Sequence, residues 1–176
     1  MSRLIPRRRA RARARSRLRL RLLVPLALSA SAAAHAQWVE HRSVSTVTAR
    51  QLVAACEDYA AKHHWHVAIW VLDEAGIPTA FARMEGAPSL AVQSAQDKAR
   101  TALAIGHPSS ELGKGLEQGH LQILALNLFP MAGGLPISSA GAIVGAIGVG
   151  GAESSEDEQC AKAALEQVLG KPLTTP

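Results

Sequence analysis

The sequence predicts an α+β domain, a mainly antiparallel five-stranded sheet flanked by helices in the order αββα(α)βββα. Three observations lead there. "WHVAIWVLD", residues 65 to 73, is a continuous apolar run rich in Val, Ile and Trp, which suits a buried strand. Stripes of apolar residues at helical spacing precede and follow it. A second glycine-rich apolar stretch, "LPISSAGAIVGAIGV", reads as another hairpin. Hairpin-linked strands interrupted by helices indicate segregated α and β elements around an antiparallel sheet.

Taken in order, Thr48 reads as the N-cap of a first helix. Leu52, Cys56 and Tyr59 recur at its buried spacing, widened by Val53 and Ala60, to about His63. The first strand follows, and "DEAG" supplies its turn, Asp at the start and Gly where positive φ is needed. "IPTAFARM" returns as the hairpin partner, with Pro78 near its start or on an edge because it cannot donate to a ladder. Pro88 suits the first turn of a long helix whose face is Ala91, Val92, Ala95, Ala99, Ala102 and Leu103, stopped by Gly106. Residues 109 to 132 hold helical pieces broken by Gly113, Gly115 and Gly119, then a loop around Pro130. Ser154 or Ser155 opens a last helix running to about Leu169 and closed by Gly170.

The first 36 residues stand apart. They hold ten arginines and no acid, then an apolar run from Leu22 to Ala34 ending in Ala34-His35-Ala36. That order describes a secretory signal peptide. A basic nucleic-acid arm is the alternative, but it would need neither the apolar run nor the small-residue end. Cleavage there leaves a single domain, residues 37 to 176, and reverses the charge: nine Lys and Arg face fourteen Asp and Glu, a net of −5. Phosphate backbones are held by several Lys and Arg contacts, so no nucleic-acid partner is expected, nor membrane insertion after cleavage. The expected location is periplasmic or secreted. Cys56 and Cys160 read as two small core hydrophobes; an oxidising compartment also allows a disulfide between them.

The glycine-rich end of "GAIVGAIGVGG" raises the question of a phosphate cradle. There is no Lys between Lys114 and Lys162 for a Walker loop, and the dinucleotide pattern started at Gly148 meets Glu153 in sixth place. Glu153, Glu156, Asp157 and Glu158 occupy the positive end of the following helix, stabilising its start by about 0.3–1 kcal/mol each. Ser155 and Glu158 have capping-box spacing. These glycines are therefore expected to let another backbone approach closely, or to form a bulge.

In chain order, "WHVAIWVLDEAG", "FARMEGAP", "KARTA", "GGLPI", "GAIVGAIGVGG" and "EDEQCAKAAL" make the region from about residue 46 to 169 resemble the GlcG/HbpS-like haem-binding family. That family in turn resembles the C-terminal domain of PduO-type proteins. Glu85 stands where the family usually has Asp, "SSAGAIVG" lacks its Asp-Gly turn, and "SLAVQSAQDKA" replaces a more apolar helix start. The resemblance implies an antiparallel sheet flanked by helices, homo-oligomers, and haem held without covalent attachment; it carries over no haem ligand.

Arg83, Glu85 and Lys98 are the polar members of the matched segments. They surround a small anionic ligand, such as a haem propionate or a carboxylate substrate, or they form an ion-pair cluster locking hairpin to helix or subunit to subunit. His66, His107, His120, Met84 and Met131 are the choices for axial haem ligation. His120 and Met131 fall in the broken, glycine-rich region where a pocket can open. "HHWH" at 63 to 66 reads as a helix C-terminus with favourable His placement. No Gly-x-Ser-x-Gly nucleophile elbow is present. The expected function is an exported, non-enzymatic haem-binding protein, a carrier, scavenger or sensor component. The alternative is an enzyme or enzyme accessory acting on a small carboxylate, with Arg83 and Lys98 as the clamp.

Overall fold

The structure is a computed structural model and describes residues 41–170. The segment expected to be a signal peptide, residues 1–36, lies outside them. Helix α1 spans Thr46–Lys62, strands β1 and β2 span Ala68–Asp73 and Pro78–Arg83, and α2 spans Ser89–Ile105. Then come α3 (Ser110–Glu117), a 3-10 segment (Leu121–Leu126), β3 (Gly134–Ser139), β4 (Ala142–Gly150) and α4 (Ser154–Leu169). Among the described residues, no helix is long and apolar enough to cross a membrane.

All strand pairs are antiparallel and the sheet order is β2-β1-β4-β3. The sheet has four strands rather than the expected five. Of the three strands expected between the broken helical region and the last helix, the described residues form two, β3 and the nine-residue β4, whose pairing shifts between Ile137 and Ser138. A shift of this kind bends a strand without ending it. Pro78 begins β2, an edge strand, where its missing N–H leaves no ladder bond unmade.

The two faces of the sheet follow from side-chain alternation. Val67, Ile69 and Val71, with Ile147 and Val149, face one large core that also contains Leu52, Cys56, Cys160 and Leu165 of α1 and α4. Full burial of each larger aliphatic side chain contributes about 1.5–3 kcal/mol. Ala68, with Trp70 packed beside it, faces the other way, onto Ala91 and Ala95 of α2. Trp70 also meets its cross-strand neighbour Phe81 at a ring separation of 4.7 Å.

The glycines of β4 explain how α2 sits so close. A Cβ built on Gly148 would run into the carbonyl oxygen of Ala95 and lie 2.5 Å from the Ala99 amide nitrogen. One on Gly150 would lie 2.8 Å from the Ala91 carbonyl oxygen. An alanine face is thus laid on a glycine strand, backbone against backbone. Packing accounts for the glycine spacing. Gly148→Ala is expected to lower the unfolding free energy by about 3 kcal/mol through overpacking, read from the urea midpoint; an unchanged midpoint would show that α2 stands further off.

Three local details differ from the sequence expectation. The N-cap of α1 is Ser45, whose hydroxyl accepts from the Thr48 amide at 3.1 Å, three residues before the expected cap. Helix α4 is capped by Glu153, and its reciprocal partner is Glu156 rather than the Ser155 and Glu158 pair. Cys56 and Cys160 form a disulfide between α1 and α4, Cα to Cα 5.2 Å, rather than packing as two separate core residues.

Candidate functional site

The face of α2 that carries Ala91, Ala95, Ala99 and Ala102 also carries Lys98, only 1% exposed. Its ammonium donates to Asp157 Oδ2 at 2.6 Å. Asp157 lies in the first turn of α4, is equally buried, and takes the Ala152 amide on its other oxygen at 3.1 Å. The pair joins helices on opposite faces of the sheet. Lys98 reaches past Gly133, where a Cβ would lie 3.0 Å from Lys98 Cδ and 2.9 Å from Asp157 Cβ. Burial pushes the Asp157 carboxyl above its ordinary range, and the hydrogen bond and charge of Lys98 oppose that rise.

The pair forms the floor of a cavity of about 220 Å³. Leu90 and Ser94 of α2, Met131, and Ser154 at the start of α4 are among its walls. The loop carrying Met131 is pinned by two side chains. Ser109 donates to the Met131 carbonyl at 2.6 Å and accepts from the Gly134 amide at 2.9 Å, while Thr101 Oγ1 accepts from the Phe129 amide at 2.9 Å.

Of the residues singled out from the sequence, Lys98 and Met131 therefore line one cavity. Arg83 and Glu85 do not join Lys98. The Arg83 guanidinium donates through Nε to the Ala87 carbonyl at 2.9 Å, with a second bond from its terminal nitrogen to the same oxygen. Glu85 is exposed, and its backbone carbonyl lies 2.7 Å from His66 Nδ1. Among the described residues, neither Arg83 nor Glu85 forms an ion pair. His120 is exposed at the start of the 3-10 segment, and Met131 is 45% exposed. His107 sits 3.9 Å from Glu111, one turn on, and Met84 packs partly buried against the main core. His63 caps α1 and stacks on Trp65, ring centroids 4.6 Å apart.

Asp157 was missed as a site residue because it reads as one of four acids at a helix start. A signal existed. Asp157 falls in register with Cys160, Ala161, Ala164 and Leu165, the buried stripe of α4. An acid on such a stripe requires a buried cation, and Lys98 has the same standing on the stripe of α2.

Comparison with known proteins places this arrangement. The family model described as haem degrading protein HbpS-like matches residues 44–166. The chain belongs to the HbpS-like family. Protein GlcG of Escherichia coli strain K12 is 36% identical to this HbpS-like chain over 111 residues, 60% of this chain and 80% of GlcG. The crystal structure of a double mutant of HbpS from Streptomyces reticuli shares 32% identity at a TM-score of 0.69, over 74% of the HbpS-like chain and 90% of the mutant. A PduOC–haem complex matches at 24% identity and a TM-score of 0.64, over 70% and 93% of the two chains, which shows the common fold. Haem is named in the description of the family and in that complex.

Proposed function

We propose that the protein binds haem without covalent attachment and acts outside the cytoplasm as a carrier, scavenger or sensor component in a homo-oligomer. Membership of the HbpS-like family across residues 44–166 carries this reading. Ligand pockets of drug size span roughly 300–1,000 Å³, so a cavity of about 220 Å³ does not enclose a porphyrin. An open apolar surface suits it better. Leu121, Leu124, Leu126 and Met131 are 45–66% exposed, and neither α3 nor the 3-10 segment buries a single residue.

His120 and Met131 flank Leu121–Leu126 in the chain, are both exposed, and are of donor types that hold haem iron. They are the residues we assign to hold the group. His66 is the second choice: its Nδ1 lies on the Glu85 carbonyl, and when Nδ1 carries the proton, Nε2 is left as the donor. Arg83 and Glu85 stay in the proposal as surface groups beside the hairpin. Bound haem would supply iron-centred redox and ligand chemistry; the chain supplies donors and an apolar face.

The Arg-rich leader supports export, and the Cys56–Cys160 bond fits an oxidising compartment. The deciding experiment titrates hemin into the purified protein. A saturable Soret shift is expected, weakened by His120→Ala and by Met131→Ala. The absence of any shift at stoichiometric hemin, in every oligomeric form, would overturn the reading.

A further inference from the structure

The cavity over the Lys98–Asp157 pair holds more than a packing role requires. An ammonium has three N–H donors, and among the described residues Lys98 has one acceptor, Asp157 Oδ2. Lys98 is buried to within 1% of its surface, yet it lines a cavity with a mouth flanked by Leu90, 74% exposed, and Met131, 45% exposed. The first turns of α2 and α4 both contribute walls. Their leading N–H groups have no acceptor inside the helix, and Pro88 brings no side-chain cap to α2. The positive end of α2 therefore opens beside a buried cation, while that of α4 is taken up by its own capping box and first-turn acids.

We propose that this cavity is a subsite for one carboxylate group on a short aliphatic arm, received by the Lys98 ammonium at its floor. The charge balance sets the limit of one. Asp157 already neutralises Lys98, and Glu153 and Glu156 flank the α4 side, engaged with each other's backbone amides. A polyphosphate would meet those acids. A single carboxylate shares the ammonium with Asp157 and gains the uncapped end of α2.

The volume sets the arm. At about 30 Å³ per water, 220 Å³ has room for a short chain and no ring system of porphyrin size. Leu90 and Met131 supply the apolar contact for the methylenes. Two molecules carry such a group: a porphyrin, through a propionate side chain, and a free short-chain carboxylic acid. The porphyrin form rests on the haem reading above; the free-acid form stands without it.

The test uses hemin, hemin dimethyl ester and sodium butyrate with three purified proteins. These are the wild type, Ser94→Leu, which fills the cavity and leaves the pair intact, and Lys98→Met with Asp157→Leu, which removes the ammonium without stranding a carboxylate. A charge-assisted bond predicts hemin binding about tenfold tighter than its diester to the wild type, a difference lost in both variants. Butyrate is expected to raise the wild-type Tm, to leave the variants unmoved, and to compete with hemin but not with the diester. Butyrate stabilisation without a diester effect, or without any Soret shift, assigns the subsite to a free acid. A Soret shift with hemin and diester equally tight, and no Tm response to butyrate, overturns the subsite and leaves haem binding standing.

Discussion

Lys98→Met is expected to lower the unfolding free energy by about 3–5 kcal/mol, because it leaves the buried Asp157 carboxylate without its cation. Among the described residues, no other cation pairs with Asp157. The remaining partner of Asp157 is the Ala152 amide at 3.1 Å, a single neutral donor on the other carboxylate oxygen. Burial alone already drives this carboxyl toward its protonated form, and Lys98 is what opposes it. Adding Asp157→Leu to the same protein is expected to recover most of the loss, since a buried ion pair exchanged for apolar groups of similar volume is often neutral or better. Urea unfolding followed by circular dichroism measures both proteins. Equal stability of the single variant and the wild type would mean that the pair is open in solution.

Reducing the Cys56–Cys160 bond, or replacing both residues by serine, should cost at least as much. The bridge closes a loop with a sequence separation of 104. In the chain-entropy account, a loop of that size stabilises the folded state by about 4.7 kcal/mol, acting on the unfolded chain. For a domain of this size that corresponds to roughly 15–20 °C in Tm. Both sulfurs sit in the core between α1 and α4, so the serine hydroxyls would also be desolvated. Scanning calorimetry with and without reductant measures the difference. A shift of less than a few degrees would show that the reduced core repacks around two thiols, as the sequence alone suggested.

Much of the fold is readable from local pattern. The first strand, its Asp-Gly turn, the alanine face of α2, the Gly106 and Gly170 stops and the closing hairpin fall close to where periodicity and turn chemistry put them. What periodicity does not carry is pairing. How many strands residues 134 to 150 make depends on how they pair, and the β3–β4 ladder shifts register between Ile137 and Ser138 without ending either strand. The cap of α1 was misplaced because Ser45 and Thr48 are both good caps, and the choice lies with the chain entering from Val44, whose amide bonds to the Val144 carbonyl.

The site was less legible for a related reason. Lys98 and Met131 were both identifiable, but the residue joining them into a cavity, Asp157, is 59 positions from Lys98. Its inward direction is visible only once the four acids at the start of α4 are sorted by helical phase. Arg83 ends β2 and Glu85 lies two residues on, which suggested a cluster with Lys98. A short guanidinium-to-backbone contact within the same turn occupies Arg83 instead.

The strand order has a consequence for how the chain acquires its shape. The two inner strands are β1 and β4, one made early and the other ending at Gly150. Helix α4, which carries both Asp157 and Cys160, is made later still. A nascent chain shorter than about 150 residues would have a two-stranded hairpin and no second wall to close against, and isolated hairpins are marginal in water. High contact order of this kind slows folding. Until β4 is made, β1 lacks one of its two ladder partners, and until α4 is made, Lys98 and Cys56 lack theirs.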